Sequence, residues 1–81
     1  MKARVHVFYR EGVFDPQGNT IASSLRQIGF SRVKGVRVGK AIDVEFDEAS
    51  PTQVRHDLQK MCDTLLANPV IESYQFEFVE E

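Results

Sequence analysis

Cysteine, histidine and paired carboxylates are the side chains that carry most covalent, metal and acid–base chemistry, and this chain holds few of them. Its single cysteine, Cys62, lies between Met61 and Leu65 on an apolar run at helical spacing. That position marks an inert core thiol rather than a nucleophile. His6 falls on a strand pattern and His56, beside Arg55 and Asp57, on a solvated helix face; neither has a second ligand at zinc spacing. The carboxylate pairs Asp47-Glu48 and Glu80-Glu81 are adjacent in sequence and sit at element ends. Solvated turns account for them better than general acid–base work. Arg37-Val38-Gly39-Lys40 has the look of an anion-binding turn, but it lacks the glycine spacing of a phosphate loop and opens no helix. Stacking on RNA needs aromatics on an open sheet face with basic neighbours, whereas Tyr74, Phe76 and Phe78 are expected on the helix side. The residues supply no catalytic, metal or cofactor constellation.

The bulk properties narrow the function classes further. Eighty-one residues are read as one domain, 1–81, and a chain of this length buries only about 60% of its unfolded surface. Its 42% apolar and 27% charged content is that of a globular protein. A net charge of −2 with interleaved signs leaves no polycation footprint for nucleic acid or an anionic membrane. No apolar run approaches the length of a membrane span. Met1-Lys2-Ala3-Arg4 leads straight into a strand pattern rather than a signal-peptide core. With one cysteine and therefore no intrachain disulfide, a cytoplasmic setting is expected.

Any functional residues must be held by elements the pattern makes visible. Residues 3–10 alternate, with Val5, Val7 and Tyr9 on one side and Arg4, His6, Phe8 and Arg10 on the other, the period of a half-buried strand. Asp15-Pro16-Gln17-Gly18 fits a type I turn. Asn19 is then the expected cap of a first helix, with Ile21, Ala22, Leu25 and Ile28 on its apolar stripe. Gly29 sits where a left-handed residue closes a helix, with Phe30 folding back onto Leu25. Ser50-Pro51-Thr52-Gln53 is a capping box with proline at the first helical position. Val54, Leu58, Met61, Cys62, Leu65 and Leu66 follow on one face. Asn68 is expected in a left-handed cap and Pro69 ends the helix. Tyr74, Phe76 and Phe78 alternate in a last strand.

The middle segment, Val33 to Phe46, admits a hairpin at Gly39-Lys40 or one continuous strand. A single strand keeps Val36, Val38, Ile42, Val44 and Phe46 on one face, so a long strand bent at Gly39 is predicted. Fourteen extended residues reach roughly 45 Å at about 3.3 Å each. The second helix, about sixteen residues at about 1.5 Å each, covers only about 24 Å. The overhang is therefore expected to meet another chain. The predicted fold is an α+β two-layer sandwich, with two helices on one face of a largely antiparallel sheet and a long bent central strand, related to ferredoxin-like architecture. The other sheet face would carry Arg4, His6, Arg10, Arg37, Asp43, Glu45 and Glu77, paired across strands, with Phe8 out of place among them.

Taken together, Gly12-Val13-Phe14-Asp15-Pro16-Gln17-Gly18, Ile28-Gly29-Phe30, Val36-Arg37-Val38-Gly39-Lys40 and Met61-Cys62 through Leu65-Leu66-Ala67-Asn68-Pro69-Val70-Ile71-Glu72 resemble the PurS family, the small subunit of phosphoribosylformylglycinamidine synthase. The order and spacing agree over nearly the whole chain. Phe14, Ala41 and Ser73 depart from the family pattern without removing a catalytic group. The resemblance implies a non-catalytic, homo-oligomeric subunit, a dimer or tetramer. It would act in de novo purine (IMP) synthesis, bridging the glutaminase subunit PurQ and the synthetase subunit PurL and supporting ammonia transfer between them. ATP and Mg would be used by the synthetase, with no cofactor in this chain. It places partner contacts at Asp15, Pro16, Gln17, Gly18, Arg37, Gly39, Lys40, Asn68 and Pro69. The alternative from the fold alone is a stand-alone small-molecule-binding regulatory module, which would need a pocket of convergent polar groups; a small acylphosphatase-like enzyme would need a phosphate-cradling arginine beside an asparagine, and that pair is not evident.

Overall fold

In the computed structural model, which describes residues 1–47 and 50–79, the chain runs β1 (Lys2–Tyr9), α1 (Pro16–Gln27), β2 (Gly39–Glu45), α2 (Pro51–Met61), a π-helical turn (Cys62–Leu66) and β3 (Glu72–Val79). Glu48, Glu80 and Glu81, members of the two carboxylate pairs, lie outside the described residues. The sheet is antiparallel in the order β2-β1-β3. Both edges are left without a further strand among the described residues, so the architecture is an open-sheet α+β fold.

Alternation in β1 sorts its side chains as the sequence predicts. Ala3, Val5 and Val7 are buried and join Val54, Leu58, Cys62 and Ala67 in the core, with Ile42, Val44, Phe46, Met61, Leu66, Tyr74 and Phe76 packed around them. Register places Ile42 and Phe76 on either side of Val5, one layer of that core. On the opposite face Arg4 lies between Asp43 and Glu77 and forms a forked pair with Asp43, at 2.8 and 3.2 Å. His6 Nε2 approaches Glu77 at 3.5 Å.

Three local expectations are corrected. Asp15, not Asn19, caps α1: its carboxylate accepts from the Gly18 amide at 2.9 Å, which makes Pro16 the first helical residue. An Asp-Pro pair serves a turn or a helix start equally well, and the four residues 15–18 form the helix start. Leu65 leaves the core, 83% exposed, because α2 ends in a π turn. The Ala67 amide donates to the Cys62 carbonyl at 3.1 Å. The extra residue moves the inward face from the third and fourth positions after Cys62 to the fourth and fifth, Leu66 and Ala67. Asn68 is not left-handed, since among the described residues no non-glycine residue has positive φ. Its side chain accepts from the Val70 amide at 3.1 Å instead, an Asx turn after which β3 begins.

The predicted C-terminal end of α1 is as read, and α2 starts at Pro51 behind a Ser50 cap. Gly29 has φ +111°, its amide reaches the Arg26 carbonyl and the Phe30 amide reaches that of Leu25 at 3.0 Å, a Schellman closure. Ser50 accepts from the Gln53 amide at 3.2 Å.

The middle segment differs most. There is no hairpin at Gly39, but the ladder also begins there, and β2 is a seven-residue edge strand rather than a long central one. Ladder groups further back are already engaged. The Val38 amide donates to Asp15 Oδ2 at 2.8 Å, and the Tyr9 carbonyl accepts from Arg37 Nη2 at 3.3 Å. Residues 33–38 run beside α1, where Arg26 donates to the Val33 and Lys34 carbonyls at 2.9 and 3.0 Å. The overhang thus has an intrachain neighbour after all: it forms an arm with α1. No α1 residue belongs to the core cluster. The arm extends the sheet lengthwise, giving Cα extents of 49 × 29 × 14 Å and a radius of gyration of 16.1 Å, against about 12 Å for a compact chain of this length.

Candidate functional site

Most residues singled out from the sequence meet where the arm joins the sheet. The organising group is Asp15. It caps α1 with one oxygen and holds the Val38 amide with the other. These amides, Val38 first and Gly18 second, keep its carboxyl below the ordinary range, with the positive charge of Arg37 acting in the same direction. Gly18 is buried at the third helical position, and a Cβ there would land on the Val36 carbonyl oxygen. The glycine is therefore required by close approach of the arm's two strands of backbone.

Gly39 plays the corresponding part on the open sheet face. It lies across from Phe8, whose other neighbour is Ser73. A Cβ on Gly39 would lie 2.5 Å from the Val7 carbonyl and 2.6 Å from the Phe8 ring. The space left by the missing side chain is taken by that ring. Arg37 then lays its guanidinium over the ring, 4.6 Å from the centroid. The aromatic that looked misplaced on a charged face is thus the platform for an arginine.

A cleft of about 530 Å³ opens beside this arginine, lined by Tyr9, Arg10, Glu11, Asp15, Arg37 and Ser73 among others. Gly12, in the turn after β1, has φ +89° and forms part of the wall. Arg10 links the cleft to the predicted Asn68-Pro69 contact: its side chain donates to the Pro69 carbonyl at 3.0 Å and its amide to Ile71 at 2.8 Å. Lys40 is the residue the structure does not bring in. It is paired with Val7, on the sheet face opposite Phe8, and is exposed. Arg10 and Ser73 are not among the predicted contacts, because no local motif announces them: Ser73 comes here by pairing with Phe8 and Arg10 by its bonds to Pro69 and Ile71.

Cys62, the candidate nucleophile, stays apart from this surface. It is fully buried in the core, and burial, with the Asp63 charge in second place, pushes its thiol up. Tyr74 donates to Asp63 at 3.0 Å. Among the described residues no group of three or more histidines, cysteines or carboxylates is placed to hold a metal ion.

The surface combines exposed cations, close-packed glycines and an arm whose apolar side chains Phe14, Ile28 and Phe30 are 70%, 71% and 58% exposed. These are features of recognition rather than turnover. Comparison with known proteins identifies the family. Residues 2–80 match the family model PurS, phosphoribosylformylglycinamidine (FGAM) synthase. The chain is 38% identical over 80 residues to the phosphoribosylformylglycinamidine synthase subunit PurS of Archaeoglobus fulgidus, covering 99% of this chain and 100% of that one. It superposes on the crystal structure of Methanocaldococcus jannaschii PurS, a subunit of formylglycinamide ribonucleotide amidotransferase in the purine biosynthetic pathway, with a TM-score of 0.84 and 39% identity over 94% of this chain and 92% of that one. A chain in the structure of PurLQS from Thermotoga maritima matches with a TM-score of 0.85 and 37% identity over 94% and 93% of the two chains. Fold, length and sequence agree from end to end, and the chain belongs to the PurS family of phosphoribosylformylglycinamidine synthase subunits.

Proposed function

We propose that this chain is the non-catalytic small subunit of phosphoribosylformylglycinamidine synthase in the cytoplasm, a homo-oligomer that joins the glutaminase to the ATP-dependent synthetase in de novo purine synthesis. The observation that carries this reading is the arm: a helix held to residues 33–38 by polar contacts, with Phe14, Ile21, Ile28 and Phe30 on and beside it exposed. Such a body, 49 Å long and 14 Å thick, has the shape of a connector. The likeness to a chain of Thermotoga maritima PurLQS supports PurL and PurQ as the partners.

The chemical need for a connector follows from ammonia itself. At neutral pH it is mostly ammonium, which is not nucleophilic, and in open solvent it diffuses away. Two active sites held together by a third protein can pass it through a water-poor route. In this reading ATP and Mg act in the synthetase, and the chain contributes geometry alone.

The test is reconstitution with purified glutaminase and synthetase. Turnover with glutamine as nitrogen donor should require this chain, while turnover with high ammonium chloride should proceed without it. Equal glutamine-dependent rates with and without the chain would refute the proposal.

A further inference from the structure

The cleft beside Arg37 does not end there. Arg37 and Ser73 also line a second cleft of about 270 Å³ on the open sheet face, with His6, Phe8 and Gln75. Val38 belongs both to the first cleft and to a third of about 500 Å³, walled by Pro16, Gln17, Thr20 and Ile21 of α1. Through these shared residues the three clefts are neighbours on one surface, taken together as a furrow, with charged lining on the sheet and apolar lining beside α1. Arg37 stands at the junction of its polar parts.

Arg4 is paired with Asp43, and Arg26 is spent on two carbonyls. Among the described residues Arg37 has a single hydrogen-bond acceptor, the Tyr9 carbonyl at 3.3 Å, and no carboxylate within ion-pair distance. Arg55, stacked on Phe78 at 5.2 Å, also has no ion pair among them, but Arg37 is the arginine that lines both polar clefts. A guanidinium has five N–H donors in a rigid plane. Stacking on Phe8 holds the guanidinium over the ring, and with one N–H engaged its other donors are left without an acceptor among the described residues, beside the two polar clefts it lines. A preoriented fork loses little freedom on engaging a planar acceptor.

We propose that Arg37 is the receptor for a carboxylate side chain on a partner subunit of the synthase, carried by a segment whose neighbouring apolar residue lies in the furrow between Pro16 and Ile21. The assignment rests on the connector reading. A carboxylate fits better than a phosphate because Glu11 and Asp15 line the same cleft and would repel a dianion more than a single charge. A protein segment fits better than a metabolite because the furrow is long, open and polar at one end only. Ser73 lines both polar clefts beside Arg37 and carries a hydroxyl that can donate to the same group. Charge-assisted, bidentate pairs of this kind are shorter and stronger than neutral hydrogen bonds.

The experiment measures assembly of the full chain with the purified synthetase and glutaminase, comparing wild type, Arg37→Ala, Arg37→Lys and Lys60→Ala. Lys60, exposed on α2, controls for a lost positive charge. Arg37→Ala should weaken assembly about tenfold or more, Arg37→Lys should restore little of it because the planar fork is missing, and Lys60→Ala should change it less than about twofold. Melting temperatures should agree within the scatter of surface substitutions, separating recognition from a merely structural stacking role. Assembly of Arg37→Ala at wild-type affinity overturns the assignment, as does full rescue by lysine. Failure of the wild-type chain to assemble refutes the connector reading and this proposal with it, before any variant is compared. A parallel titration with sodium glutamate, read on the Arg37 Nε–H resonance, should show no saturation below millimolar concentration; saturation there would make a free metabolite the occupant and overturn the assignment to a partner.

Discussion

Replacing Gly18 with alanine sets two effects of known sign against each other. Gly18 is the third residue of α1 and its φ is not positive, so nothing in its backbone conformation needs glycine. On helix propensity alone, alanine should stabilise α1 by about 0.8–1.0 kcal/mol. The added methyl, however, would land on the Val36 carbonyl oxygen and lie 2.7 Å from Asp15 Oδ2. One of these is backbone and the other is a carboxylate already holding two amides, so neither can swing away as a flexible side chain would. Overpacking of this kind costs about 1–3 kcal/mol. At the middle of that range the clash wins, and the variant should be less stable by about 1 kcal/mol, lowering Tm by about 4–8 °C. Thermal unfolding followed by circular dichroism would measure it, with Ser23→Ala, at an exposed position of the same helix, as the propensity control. That control should be neutral or slightly stabilising. A Gly18→Ala protein as stable as wild type, or more so, would show that α1 and residues 33–38 do not approach as described.

The π turn gives a contrast between neighbours: Leu66→Ala should cost about 1–3 kcal/mol by chemical denaturation, while Leu65→Ala should stay within about 0.5 kcal/mol, since only Leu66 packs on the core. Equal losses at the two positions would mean an ordinary α-helical register. The lowered pKa of Asp15 ties arm docking to pH. Because the folded value is depressed, its contribution is complete above the unfolded carboxylate pKa of about 3.9 and disappears as pH falls through the folded value. Melting curves from pH 6 downward should therefore show a smaller acid loss for Asp15→Asn than for wild type, starting from a lower plateau at pH 6; parallel profiles would remove Asp15 from the linkage.

What the sequence made legible was local. Period-two alternation located β1 and β3, and Ser50-Pro51 and Gly29 marked helix ends, because those signals act within a few residues of themselves. The errors occurred where a distant group intervened. Residues 33–38 carry a strand-like pattern, yet the Val38 amide is taken by Asp15, twenty-three positions earlier. Leu65 obeys α-helical spacing and is put outside by a single widened turn. At the candidate site, Asp15, Gly18, Arg37 and Gly39 could be picked out by type and motif. Phe8 was visible only as an oddity on a charged face, and neither Arg10 nor Ser73 as a cleft residue, since pairing with β3 brings Ser73 there and contacts to Pro69 and Ile71 bring Arg10.

The arm also shows why this fold and its assembly are one problem. A twelve-residue helix is marginal in water on its own. Here α1 is held by an Asp cap, a Schellman closure and Arg26 on two carbonyls. Such contacts orient a helix but bury little apolar surface, and net contributions from exposed hydrogen bonds are small. The four apolar residues Phe14, Ile21, Ile28 and Phe30 remain exposed, so the missing hydrophobic term must come from whatever covers them.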